Sequence, residues 1–151
     1  MHRFEREALK VRPANPFLEH RTIRFQDVDA AGIIFYPRLI EYCHDLLVAF
    51  FAANGQPLDR ALADKTWGSP IRHAEADYFR PLRFADRVEV ALVKAHVEPS
   101  EVALGFRIAH ASSPDEVCTV VQSIHTFVNL ETFRRSDVPP ALHAAFSQIG
   151  E

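Results

Sequence analysis

The chain has 151 residues, 48% hydrophobic and 25% charged, the composition of one globular domain with a core of its own. A formal net charge of −3 excludes a generally basic, nucleic-acid-binding surface. No apolar run reaches membrane-span length, the charged start MHRFEREALK is unlike a signal peptide, and the only cysteines, Cys43 and Cys118, read as buried hydrophobes of a reducing compartment. A cytoplasmic protein is the expectation.

Residues 1–16 hold eight charges or prolines and no hydrophobic period, and are expected to form a loose arm lying on the surface or on a partner subunit. The domain proper is expected over residues 17–151. Phe17 to Asp27 reads as a first strand, with Ile23 and Phe25 on one face and Arg24 and Gln26 on the other. Its end carries two carboxylates, Asp27 and Asp29, and a bend of small residues follows: Ala30, Ala31 and Gly32. Pro37 then opens a long helix, since proline is tolerated in a first turn where its missing amide hydrogen would have no helical partner. Leu39, Ile40, Cys43, Leu46, Leu47, Phe50 and Phe51 recur at three- and four-residue steps, and only Arg38, Glu41 and Asp45 form a clearly polar stripe. The helix is therefore expected to be buried on most sides and to stop at Asn54-Gly55.

Beyond a short helix over Asp59 to Ala63, four strands are expected in succession: Ile71 to Phe79, Arg87 to Val97, Glu101 to Ala111 and Val117 to Leu130. Glu98-Pro99-Ser100 and Ser112-Ser113-Pro114-Asp115 supply turns between the last three. Pro139 to Ile149 reads as a terminal helix. The fold class is thus α+β, with one curved antiparallel sheet wrapped around one long central helix, because a helix apolar nearly all round needs a wrapper. A single sheet leaves open edges that a second subunit could cover.

The bend carries the chemistry. Free amides at a helix N-terminus bear partial positive charge and can hold a developing oxyanion. A carboxylate lies a few residues upstream, so a base or nucleophile and an anion hole share one stretch. The plainer alternative is that Asp29 caps a turn. Asp27 either raises the basicity of Asp29 or holds the bend through hydrogen bonds. No third ligand follows the Asp-x-Asp at metal spacing, and neither a Gly-rich phosphate loop nor a Gly-x-Ser-x-Gly elbow occurs, so no metal or organic cofactor is expected.

The stretch Phe25-Gln-Asp-Val-Asp-Ala-Ala-Gly-Ile-Ile-Phe-Tyr-Pro-Arg resembles the signature of the 4-hydroxybenzoyl-CoA thioesterase family of hotdog-fold enzymes. Ser69 to Val88 resembles the second and third strands of the same fold, and the likeness runs from about residue 17 to residue 135. Within the family it is most similar to the 1,4-dihydroxy-2-naphthoyl-CoA hydrolase branch, while Phe-Tyr-Pro-Arg also suits benzoyl- and hydroxybenzoyl-CoA thioesterases.

The resemblance implies Asp29 as the catalytic carboxylate, Gly32 in the catalytic bend and the Tyr36 backbone amide as the oxyanion donor. It places His44 on the helical face toward the acyl pocket, where the family can carry an acidic residue, and offers Phe35 and His73 as further pocket residues. A polyanionic coenzyme A needs a local basic patch. Arg83 (with Arg80 and Arg87) and Arg134-Arg135 are the candidates; each could equally be a solvated surface run. The family's sites lie between subunits, which implies a homodimer or homotetramer. The function implied is hydrolysis of an aromatic acyl-CoA. Broader acyl-CoA or acyl-carrier-protein hydrolysis and a non-catalytic acyl-CoA-binding hotdog protein are the alternatives.

Overall fold

A computed structural model describes residues 1–150. In chain order the elements are α1 (Arg6–Lys10), β1 (Phe17–Thr22), α2 (Pro37–Ala53), α3 (Leu58–Ala63), β2 (Ile71–Tyr78), β3 (Arg87–Val97), β4 (Glu101–His110), β5 (Val117–Thr126) and α4 (Pro140–Ser147). The strands form one antiparallel sheet in the order β1-β3-β4-β5-β2, with α2 packed on one face, which is the hotdog arrangement. β3, β4 and β5 are successive hairpin neighbours, with Val97 opposite Val102 and Ile108 opposite Thr119. β2 does not pair with its successor. It crosses to the far side of β5, with Ile71 opposite His125 and Tyr78 opposite Thr119, and so becomes an edge strand.

The core lies between α2 and the sheet. Leu39, Tyr42, Cys43, Leu46, Leu47, Phe50 and Phe51 of α2 meet Val90, Leu92, Leu104, Phe106 and Val121. Full burial of side chains this size stabilises the fold by about 1.5–3 kcal/mol each. α4 closes the C-terminal half of the helix, where Phe146 stacks on Phe50 with ring centroids 5.0 Å apart. The wrapping is less complete than the composition of the helix suggests. Glu41, His44, Asp45, Ala52 and Ala53 are exposed, because one sheet and one short helix cover only part of its circumference.

β5 ends at Thr126 and not at Leu130, and two other segments depart further from expectation. The first strand stops at Thr22, and Phe25–Asp27 forms a 3-10 turn. The Asp27 carboxylate accepts the Arg24 backbone N–H at 3.1 Å, which turns the chain there, so Ile23 is fully buried while Phe25 is 75% exposed. Residues 1–16 are more ordered than a loose arm: they hold α1 and lie on the surface of their own chain, against the sheet's other face. Leu9 of α1 is buried there against Ala91, Val93 and Val120. Gly105 makes room for it, since a Cβ at that position would come within 2.2 Å of Leu9 Cδ2. Arg12 adds two bonds to the buried Glu89 carboxylate, at 2.8 and 3.2 Å. The middle of the sheet is therefore covered on both faces, which explains why Ala91 and Val93 are as buried as Val90 and Leu92.

Candidate active site

The Asp-x-Asp stretch forms a loop closed on itself. The Phe35 N–H donates to the Asp27 carbonyl at 2.8 Å, Val28 bridges Ile34, and the Asp29 N–H donates to the Ile33 carbonyl at 2.9 Å. Gly32 turns the tip with φ +81°, a left-handed conformation natural to glycine, and its N–H donates to the Asp29 carbonyl at 3.0 Å. Nothing lies within 4 Å of where a Gly32 Cβ would be, so backbone conformation and not crowding selects glycine. The loop is stitched to the connection between β2 and β3: Ile34 N–H donates to the Leu82 carbonyl at 2.8 Å and Ile33 bridges Arg83.

The two carboxylates have different surroundings. Asp27 is fully buried and accepts from Arg24 Nε at 3.1 Å, Arg24 Nη2 at 3.0 Å and the Tyr42 hydroxyl of α2, with Arg38 Nε 3.7 Å away. Burial pushes its pKa up, but the hydrogen bonds from Arg24 and Tyr42 outweigh it and hold the carboxyl at about 2. Burial and the bond to Asp27 raise Tyr42 to about 12. Arg21 lies over the other side of the Tyr42 ring, 3.9 Å from its centroid. Asp27 is thus the knot that ties loop to helix, as its hydrogen-bonding alternative anticipated.

Asp29, at the loop tip, is exposed. One carboxylate oxygen accepts the Ala31 N–H at 2.8 Å, and no basic side chain among the described residues pairs with it. Tyr36 stands at the root of the same loop as the N-cap of α2, ahead of Pro37. Its N–H has no partner among the described residues, and its carbonyl accepts the Tyr78 hydroxyl at 2.8 Å. Asp29 and the Tyr36 amide do not touch. They sit three residue pairs apart on one hydrogen-bonded loop, about 10 Å along an extended backbone. Phe35, half-exposed, packs edge-on against Tyr36 at 5.3 Å.

Two clefts follow the seam between α2 and the edge strand β2. The one at the helix tip, about 260 Å³, is lined by Ile33, Tyr36, Leu39, Tyr78, Phe79 and Arg80. Farther along the helix a cleft of about 590 Å³ opens between Ile40, His44, Ser69, Pro70, Ile71 and His125, with Glu41 and Asp45 also on its wall. His44 is therefore at the seam. His73 is not. On β2 Ala76 and Tyr78 turn toward α2, and strand alternation sends His73 to the opposite face, where its Nε2 lies 3.1 Å from Glu75, itself paired with Arg3. The histidine that does face the cleft from the sheet is His125 of β5, buried to 3% exposure. Its only signal in the sequence was the inward phase it shares with Val121 and Ser123.

The basic candidates fall into two groups. Arg83, held beside the loop through its bridge to Ile33, has no ionic partner among the described residues, whereas nearby Arg80 pairs with Glu116 at 3.3 Å. Arg134 and Arg135 follow the far end of β5, where Arg135 reaches Glu101 at 3.4 Å. Thr119 and Thr126 mark those two ends of β5, about 23 Å apart, so a single chain does not gather both groups on one phosphate. No helix among the described residues is long and apolar enough to cross a membrane.

A hotdog sheet, a closed Asp loop and a long helix with a free amide at its tip define a class, and comparison with known proteins gives the same class. The chain matches the Thioesterase-like superfamily over residues 23–146 and belongs to that family. It is a thioesterase. Among curated relatives it is 35% identical over 125 residues to a 1,4-dihydroxy-2-naphthoyl-CoA hydrolase of Synechococcus elongatus, covering 81% of this chain and 88% of the relative. It is 30% identical over 122 residues to the enzyme of that name from Rippkaea orientalis, again over 81% and 88%. Among solved structures, a 1,4-dihydroxy-2-naphthoyl-CoA thioesterase from Synechocystis superposes with a TM-score of 0.81 at 20% identity, over 91% of this chain and 99% of that one. A gentisyl-coenzyme A thioesterase superposes with a TM-score of 0.75 at 26% identity, over 85% and 98%.

Proposed function

We propose that this protein hydrolyses an aromatic acyl-CoA, with 1,4-dihydroxy-2-naphthoyl-CoA as the leading substrate and hydroxybenzoyl- or benzoyl-CoA next. The observation that carries the reading is the presence on one loop of an exposed carboxylate, Asp29, and a helix N-terminal amide, Tyr36, with neither an ionic partner for the first nor a hydrogen-bond partner for the second among the described residues. The thioester carbonyl oxygen takes the Tyr36 N–H, and the helix end polarises the carbonyl. Asp29 then either attacks the carbonyl carbon, expelling the CoA thiolate and giving an acyl-aspartyl anhydride that water cleaves to the free acid, or deprotonates a water that attacks the carbonyl and expels the thiolate directly. Gly32 sets the curvature that aims the two groups. No metal or organic cofactor enters this scheme.

The aryl group lies along α2. Eight residues separate Tyr36 from His44, about 12 Å of helical rise, and side chains lean back toward the helix N-terminus, which shortens the gap to the span of one or two fused rings. Pairing of the edge strand β2 with β2 of a second copy would continue the sheet and roof both seam clefts, covering Ile71, Tyr78 and Phe79, which are 52%, 44% and 37% exposed. The assembly proposed is thus a homodimer or a homotetramer built from such dimers. Antiparallel pairing also brings the Arg134-Arg135 end of one chain toward the Arg83 end of the other, a basic surface for coenzyme A phosphates. Two buried free thiols, Cys43 and Cys118, suit the cytoplasm.

The test is release of free CoA thiol from a panel of aroyl-, fatty acyl- and carrier-protein thioesters. Aromatic CoA thioesters are expected to lead by at least tenfold in kcat/KM. A fatty acyl lead would replace this substrate class, and no release from any of them would point to a binding protein that keeps the fold.

A further inference from the structure

The 590 Å³ cleft has a floor of its own. Below it, sharing Ile40, His44, Ile71 and His125, lies a void of about 20 Å³ walled by Cys43, Leu47, Phe106 and Val121 and by two polar residues of β5, Ser123 and His125. That volume accommodates one water-sized group and no more. Three polar groups converge on this region. His125 Nδ1 is 3.1 Å from the Ser69 carbonyl, and its Nε2 is 3.1 Å from Ser123 Oγ. Ser69 Oγ is buried and has no hydrogen-bond partner among the described residues.

The partners fix the protonation pattern. A carbonyl only accepts, so Nδ1 carries the hydrogen. Burial lowers the His125 pKa, against a smaller opposing contribution from the Ser69 carbonyl, and the ring is neutral. Nε2 is then an acceptor, bonded to Ser123 Oγ beside a void whose other lining, His44 apart, is apolar. Among the described residues no lysine or arginine lines the cleft, and the two acidic groups on its wall, Glu41 and Asp45, are already paired with Arg38 and Arg21. With both arginines so engaged, an anionic ring substituent would find no free counter-charge on the cleft wall. A bare ring would leave the Ser69 hydroxyl without a partner. A neutral hydroxyl satisfies the floor: it donates to a neutral imidazole and accepts from a serine.

We infer that His125, with Ser69 and Ser123, is a specificity-determining site that reads a ring hydroxyl of the acyl group, so that the substrate class is hydroxyaryl-CoA and excludes carboxyaryl-CoA. This rests on the aroyl-CoA reading above. Sites built to bond a substrate hydroxyl reject analogues lacking it by as much as about 10⁴–10⁵-fold. Here Ser123 already satisfies Nε2 in the free protein, so the exchange is of one partner for another, and a preference of about tenfold to a hundredfold is expected.

The experiment compares kcat/KM for a hydroxynaphthoyl-CoA and for the same thioester without its distal ring hydroxyl, in the wild type, His125→Phe and His125→Gln. Wild type should favour the hydroxylated thioester at least tenfold. His125→Phe should bring the ratio close to one, and His125→Gln, which keeps an acceptor near the Nε2 position, should restore much of it. A wild-type ratio near one, or a ratio unchanged in folded His125→Phe, overturns the inference while leaving thioester hydrolysis standing. Nitrogen NMR of the wild-type histidines, titrated with free hydroxynaphthoate and with naphthoate, tests the same contact without catalysis. A shift at His125 Nε2 with the hydroxylated acid alone supports the inference even if every CoA thioester proves inert, and equal or absent shifts sink it.

Discussion

Asp27 and Asp29 are two residues apart on one loop, and the fold treats them oppositely. Asp27 is sealed behind Arg24, Tyr42 and Arg38, its acceptor capacity filled and its charge held down to a pH of about 2. Asp29 is exposed at the tip, with one oxygen on the Ala31 amide and no cation paired with it among the described residues. A carboxylate wrapped in donors is a poor base and a poor nucleophile, because its electron pairs are already engaged. One that faces solvent, with room beside a free helix amide, is available for chemistry. Surroundings, and not residue type, divide architecture from reactivity here.

Substitutions that exchange the two fates sharpen that division. Asp29→Asn is expected to cut kcat for the best aroyl-CoA by about 10³-fold or more, with the thermal midpoint almost unmoved. Loss of activity accompanied by unfolding would contradict the assignment. Asp27→Ala should do the reverse kind of damage, destabilising the fold by about 3 kcal/mol in urea titration, since it leaves the Tyr42 hydroxyl and the Arg24 guanidinium without their buried partner.

The same contrast has a pH signature. The Asp27 carboxyl is lowered from 3.8 to about 2 in the folded state, so its contribution to stability is fully present above the unfolded value and is lost as pH falls from about 4 through about 2. Urea midpoints over that window should fall less in Asp27→Asn than in the wild type. Tyr42→Phe removes one donor to the same carboxylate and should cost about 1.5–3 kcal/mol, in line with bonds to charged groups. Smallest of all, Tyr78→Phe frees the Tyr36 carbonyl and is expected to cost about 1 kcal/mol, with a kcat change of only a few-fold.

Much of this was readable in the chain. Proline at the helix start, a three-and-four apolar period and Asn-Gly at its end placed α2, and the Pro99 turn between alternating runs placed the β3–β4 hairpin. What escaped depends on partners remote in sequence. The first strand ends at Thr22 because Asp27 captures the Arg24 amide, a competition between turn and strand that periodicity does not weigh. Residues 1–16 look shapeless until Gly105, far down the chain, offers Leu9 a seat. Strand alternation turns His73 away from the seam, while the crossing of β2 to β5 brings Ser69 against His125, so the polar floor of the cleft is a product of topology, not of any local motif.

The central claim is that the tip of α2 polarises the carbonyl that Asp29 acts on. Infrared spectroscopy of an aroyl-CoA labelled with carbon-13 at the thioester carbonyl, bound to the slow Asp29→Asn protein, reads that contact directly. The account predicts a carbonyl band moved below its position in water, as a strong hydrogen bond from the Tyr36 amide requires; a band left unmoved, or shifted upward, would show that the helix end does not touch the reacting bond.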